Sequence, residues 1–78
     1  MESPNNDYNR ITRATKLCET LVATIIRNKL YASGEELARL DSEMKAAADI
    51  RQRFLSGESQ LCDFILKTFP NEITKFKH

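Results

Sequence analysis

Apolar positions recur at helical spacing along most of the chain. Leu17, Leu21 and Ile25 stand at i, i+4 and i+8, with Cys18 and Val22 beside them, which marks one face of an amphipathic helix. Tyr8 and Ile11 lie three apart on one face earlier in the chain and Asp7 can cap there, so helical structure is expected from Asp7, with the amphipathic run that follows continuing to about Arg27. The stretch "NKLYASG" interrupts it. Ser33-Gly34-Glu35-Glu36 then fits a capping box, in which the Ser33 hydroxyl accepts an amide N–H and Glu36 reaches back. The helix it opens reads Leu37, Leu40, Met44, Ala47, Ala48, Phe54 and Leu55, about 30 Å of helix at about 1.5 Å per residue. "SGES" stops it. A last apolar run, Leu61, Phe64, Ile65 and Phe69, continues past Pro70 to Ile73 and Phe76. Pro70 lacks an amide N–H, so a break there and a short final helix are expected. No strand pattern, repeat or low-complexity segment interrupts this reading. It predicts an all-α, small four-helix domain over 7–78 with one long central helix, preceded by a disordered polar arm at 1–6.

Composition narrows the class. A chain of 78 residues buries only about 60% of its unfolded surface and often leans on a partner. Hydrophobic content of 41% with 29% charged residues argues against wholesale disorder. No apolar run approaches the roughly 20 residues of a membrane span, and no apolar core follows the polar start as in a signal peptide. A cytoplasmic protein with two buried, reduced cysteines, Cys18 and Cys62, is expected. Charge is unevenly spread: five basic residues face three acids in 1–31, four face seven in 32–63, and three face one in 64–78. A basic pole beside an acidic middle could meet partners of opposite charge, or could be ordinary solvated surface.

Catalytic chemistry finds little to stand on. The one histidine, His78, is the last residue, where no scaffold orients it toward a nucleophile. Two distant cysteines cannot make a Cys/His metal site, and two glycines cannot make a phosphate-cradling loop. Hence no catalytic residue, metal, cofactor or small-molecule substrate is expected. Direct reading of DNA is weakly supported as well. Arg10, Arg13, Lys16 and Lys29 could touch phosphates, but no aromatic or amide side chains accompany them to read bases.

Asp49 stands out. At about 100° per residue it falls opposite the apolar face of its helix, with Ala38, Ser42, Lys45, Ala46 and Arg53 on the same outer side. Such a side can simply be solvated helix, with Lys45–Asp49 and Asp49–Arg53 as i,i+4 pairs. It can also be a docking surface, flat and small, with one protruding carboxylate.

The segment "NDYNRITRATKLCETLVATIIRNKLYASGEELARLDS" resembles, without a gap, the N-terminal half of the Hha/YmoA/Cnu family of small bacterial nucleoid-associated proteins. Asp7-Tyr8, Arg13, Thr20-Leu21, Ile25, Asn28-Lys29, Ser33 and Glu36-Leu37-Ala38 carry the match. "AADIRQRFLSGESQLCDF" is similar to the family's Ala-Ala-Asp-His-Arg segment and the turn after it, and "FPNEITKF" to its closing segment. The resemblance implies a four-helix protein without enzymatic activity. Its partner would be the N-terminal dimerisation region of the nucleoid-structuring protein H-NS or a paralogue, and its role would be to assist transcriptional silencing at the nucleoid. The family acids that meet that partner match Asp49 and Glu19, and the family basic residues that help hold DNA indirectly match Arg13 and Lys29. Ala46, Ser42 and Arg53 complete the expected partner face, and Arg10 and Lys16 the expected phosphate contacts. The chain departs from the family pattern at Ala14, Val22, Ile50 and Thr74, and about four extra residues, close to one helical turn, lie between Ala38 and Asp49. The alternative is a small helical adaptor or co-chaperone that holds a partner helix in an apolar groove through positions such as Ile26, Ile50 and Leu66.

Overall fold

The computed structural model describes residues 4–76. They form three helices: α1 from Pro4 to Lys29, α2 from Gly34 to Leu55, and α3 from Leu61 to Phe76. No strand occurs among the described residues. The all-α class holds, with three helices where the sequence pattern suggested four.

One difference lies at Pro70, which sits inside α3 with helical structure on both sides. Continuity is favoured because Phe69 before the proline and Ile73 after it are both buried in the same core. A break would turn Ile73 away, and burying a large aliphatic side chain is worth about 1.5–3 kcal/mol. Residues 1–3 of the expected arm lie outside the described residues, and 4–6 already belong to α1. Proline suits a first helical position, where its missing N–H has no intrahelical acceptor to lose. Asp7 therefore lies within the helix and is not its cap.

The long central element is α1, at 26 residues against 22 for α2, and not the helix opened at Ser33, as expected. α2 and α3 each pack along α1 and scarcely touch one another. Ala14, Cys18, Leu21 and Ile25 form the buried stripe of α1, at helical spacings of four, three and four. α2 contributes Leu40, Ala47 and Phe54, and α3 contributes Cys62, Ile65, Phe69 and Ile73. Leu37, Ala48 and Leu55, expected on the apolar face of α2, are exposed.

The chain runs up, down and up. At one end the Cys62 thiol lies 3.7 Å from the Arg10 carbonyl, and Arg10 pairs with Asp63. At the other end the Asn28 side chain donates to the carbonyls of Thr24 at 2.8 Å and of Phe76 at 3.3 Å. α3 thus lies parallel to α1, pinned at both ends.

The turns show how local sequence sets the chain direction. Ser33 has the extended backbone of an N-cap, but its side chain makes no capping hydrogen bond, so the expected capping box supplies the position without the hydroxyl contact. Gly34 follows at φ 63°, and Gly57 closes α2 at φ 120°, both left-handed values that favour glycine. Around Gly57 the Glu58 N–H reaches the Arg53 carbonyl at 3.1 Å and the Gly57 N–H reaches Phe54 at 3.2 Å, a Schellman ending that satisfies carbonyls the helix leaves free.

Candidate functional site

The outer side of α2 faces outward, as helical phase suggested. Ala38, Ser42, Lys45, Ala46, Asp49 and Arg53 are all exposed. The Asp49 side chain is 67% accessible, and its nearest cationic contact is Arg53 at 3.9 Å, too long for a hydrogen bond. The expected Lys45–Asp49 pair is not made, because Lys45 turns instead to Asp41 at 3.1 Å. Arg53 is engaged elsewhere: its Nε and Nη2 grip the Glu58 carboxylate at 3.1 and 2.9 Å. This bidentate pair holds Glu58 below the usual carboxylate range, through its hydrogen bonds first. Asp49 therefore keeps both oxygens available to an outside donor, and Arg53 is a fixed neighbour more than a free contact.

Glu19 is exposed too, but on another surface. It lines a groove of about 290 Å³ between α1 and α2 with Val22, Ala23, Ile26, Ala48 and Arg51. Ala48 precedes Asp49 by one residue, about 100° around the helix, so the two acids do not share a single flat face.

The four expected phosphate contacts divide in two. Arg10 is paired with Asp63. Lys29 donates to Asp41 at 2.9 Å, and the hydrogen bonds from Lys29 and then Lys45 hold the Asp41 carboxyl below its ordinary value. Arg13 and Lys16 remain together beside a shallow depression with Asn9, Thr12 and Leu17, and no acid pairs with either among the described residues.

A second groove, also about 290 Å³, opens where α2 and α3 diverge. Leu21 and Ile25 of α1 form part of it, Ala46, Ala47 and Ile50 line it from α2, and Phe64, Thr68 and Phe69 from α3. The Thr68 hydroxyl is turned back onto the Phe64 carbonyl at 2.7 Å. Ile50 was legible as an off-core apolar position, whereas Phe64 read in sequence as part of one continuous apolar run and Thr68 was not singled out. The signal for the groove was the i,i+4 pair Phe64–Thr68 lying beside the buried pair Ile65–Phe69.

Cys18 and Cys62 are buried, free thiols, and burial raises the Cys18 pKa. No group of three His, Cys, Asp or Glu side chains that could hold a metal occurs among the described residues. No described helix is long and apolar enough to cross a membrane.

Compared with family models, curated proteins and solved structures, the chain matches none. The structure also bears on the departures noted in sequence. Ala14, where the resembled family commonly carries a basic residue, is fully buried. Ile50, in place of the family histidine, faces the α2–α3 groove, and Thr74 is exposed with its hydroxyl on the Pro70 carbonyl at 3.0 Å.

Proposed function

We propose that this chain is a non-enzymatic interaction module that docks on a basic partner through the outer side of α2. An H-NS-type nucleoid-structuring protein is the partner class that the resemblance names. The observation that carries the reading is Asp49: 67% accessible, with its nearest cation, Arg53, 3.9 Å away and held by Glu58, on a side lined by the small residues Ala38, Ser42 and Ala46. Small side chains let a partner helix approach, and a guanidinium could then close on the carboxylate in a desolvated, bidentate pair. On this reading Arg13 and Lys16 assist by touching DNA phosphates beside the partner, and the complex acts in silencing at the nucleoid.

A labelled chain titrated with the N-terminal dimerisation region of an H-NS-type protein tests this. Asp49→Asn is expected to weaken binding by about 2 kcal/mol or more, roughly thirtyfold in Kd. If Asp49→Asn binds as tightly as the parent, or the parent does not bind at all, the reading fails.

The α2–α3 groove favours a second reading, an adaptor that holds an apolar helix. In that case Phe64→Ala and Ile50→Ala abolish association with the partner while Asp49→Asn leaves it unchanged.

A further inference from the structure

We infer that the face shared by α1 and α2, on the side turned away from α3, is where a second copy of this chain docks. The molecule exposes too much surface for its mass. Its accessible area is 5713 Å², whereas a compact monomer of 9.0 kDa should show about 4,850 Å². The excess, about 860 Å², is close to the roughly 800 Å² that each partner buries in a standard interface. Its Cα radius of gyration is 13.9 Å, against about 11.5 Å for a compact domain of this length.

The exposed apolar side chains gather on one side of the molecule. Among the described residues, every exposed large hydrophobic except Phe64 belongs to α1, α2 or the turn joining them, and Leu30 and Tyr31 in that turn are 75% and 87% accessible. α1 carries a second stripe besides its buried one: Tyr8, Ile11, Thr15, Val22 and Ile26, spaced by three, four, seven and four, the rhythm of a helix that packs against another helix. Thr15 does not interrupt it, because its hydroxyl donates to the Ile11 carbonyl at 2.9 Å. On α2, Leu37, Ala48 and Leu55 are spaced by eleven and seven residues, which brings them within about 20° of one direction. Ala48 lines the α1–α2 groove opposite Ile26, so both stripes open on the same side.

Charge points to a copy of the same chain as the occupant. The groove has an acid on one bank, Glu19 of α1, and a base on the other, Arg51 of α2. A twofold axis along the groove lays each α1 over the α2 of the second copy. Glu19 of one molecule then meets Arg51 of the other, twice, as an isologous interface requires. With a net charge of +1, two copies repel only weakly.

Sedimentation equilibrium tests this. The chain is expected to populate a species of twice 9.0 kDa that dissociates on dilution, and Ile26→Glu is expected to remain monomeric with helical circular dichroism intact. Glu19→Arg and Arg51→Glu should each weaken self-association about tenfold or more, since each places like charges across the axis. An equimolar mixture of these two variants should recover the dimer, because only the mixed pair opposes acid to base at both contacts. Rescue within one chain cannot produce that recovery. A chain that stays monomeric up to about 1 mM overturns the inference, as does a mixture that fails to recover. A dimer disrupted by Phe64→Asp but not by Ile26→Glu overturns it as well, placing the interface in the other groove.

Discussion

Replacing Pro70 by alanine should raise the stability of this protein markedly. Proline inside a helix costs about 3 kcal/mol relative to alanine, because it cannot donate to the carbonyl four residues back and its ring crowds that carbonyl. Here the carbonyl is that of Leu66, and Pro70 lies within α3, which spans Leu61–Phe76. Two effects trim the gain. Pro70 is exposed, so water can serve the abandoned carbonyl, and proline restricts the unfolded chain, which favours the parent by about 0.4–1 kcal/mol. A net gain of about 2 kcal/mol follows for Pro70→Ala. Unfolding entropy of about 2.1 cal/mol/K per residue, over 78 residues, amounts to about 0.16 kcal/mol/K. The expected rise in Tm is therefore about 12 °C, read from the far-UV circular dichroism melt. Pro70→Gly should give about half of that, since glycine is itself about 1 kcal/mol worse than alanine in a helix. An unchanged or lower Tm for Pro70→Ala would refute the reasoning and mean that residues 66–76 do not form one helix in solution.

Three further outcomes can be checked. The depressed Asp41 carboxyl stabilises the fold above the ordinary carboxylate value and loses that contribution as pH falls through its lowered folded value. Lys29→Met should thus flatten the fall of Tm below about pH 4, and a profile parallel to the parent's would contradict the pairing. Of the four basic residues expected at phosphates, Arg13 and Lys16 can touch DNA without breaking an internal pair while Arg10 and Lys29 cannot, so if these four make the contact the slope of log K against log salt should lie near −1.8 by fluorescence anisotropy; a slope near −3.6 means that Arg10 and Lys29 also engage, because each phosphate contributes about −0.9. Cys18 is buried and its thiol pKa is raised, so its reaction with a disulfide reagent at pH 8 should be far slower in the native protein than in urea; equal rates would show that the site opens freely.

How much of this was legible in the sequence differs from helix to helix. The boundaries of α2 were readable because punctuation marks both ends: Ser33-Gly34 before it and Ser56-Gly57 after it. The α1 core was readable at Leu21 and Ile25, but Ala14 was not, since a small residue carries little weight in any apolar pattern. Pro70 was misread because a local rule about backbone donors was set against tertiary burial of Phe69 and Ile73, which a window around the proline does not see. The exposure of Asp49 was readable, since it depends only on helical phase. Arg53 and Lys29 were harder: whether a basic side chain is free depends on acids brought near by turns, Glu58 in one case and Asp41 in the other.

The widest disagreement, on α2, follows from one geometric fact. The helical pattern of α2 implies an apolar face broad enough to include Leu37, Ala48 and Leu55, and the fold buries only Leu40, Ala47 and Phe54. A helical wheel assigns phase but cannot count neighbours. α2 has one neighbour, α1, because α3 took the other side of that helix, and a single neighbour covers a stripe and not a face. The apolar residues left on either side of the stripe then border the two grooves, Ile50 beside α3 and Ala48 beside Ile26. In a protein of this size those residues could not all be accommodated inside, since a core large enough to cover them needs a fourth helix. A fourth helix is what a partner would supply, whether from another protein in the α2–α3 groove or from a second copy on the α1–α2 face. A partner that fills either opening should slow hydrogen exchange in α2 more than in α1, which already has two neighbours. Equal slowing in the two helices would place the contact elsewhere.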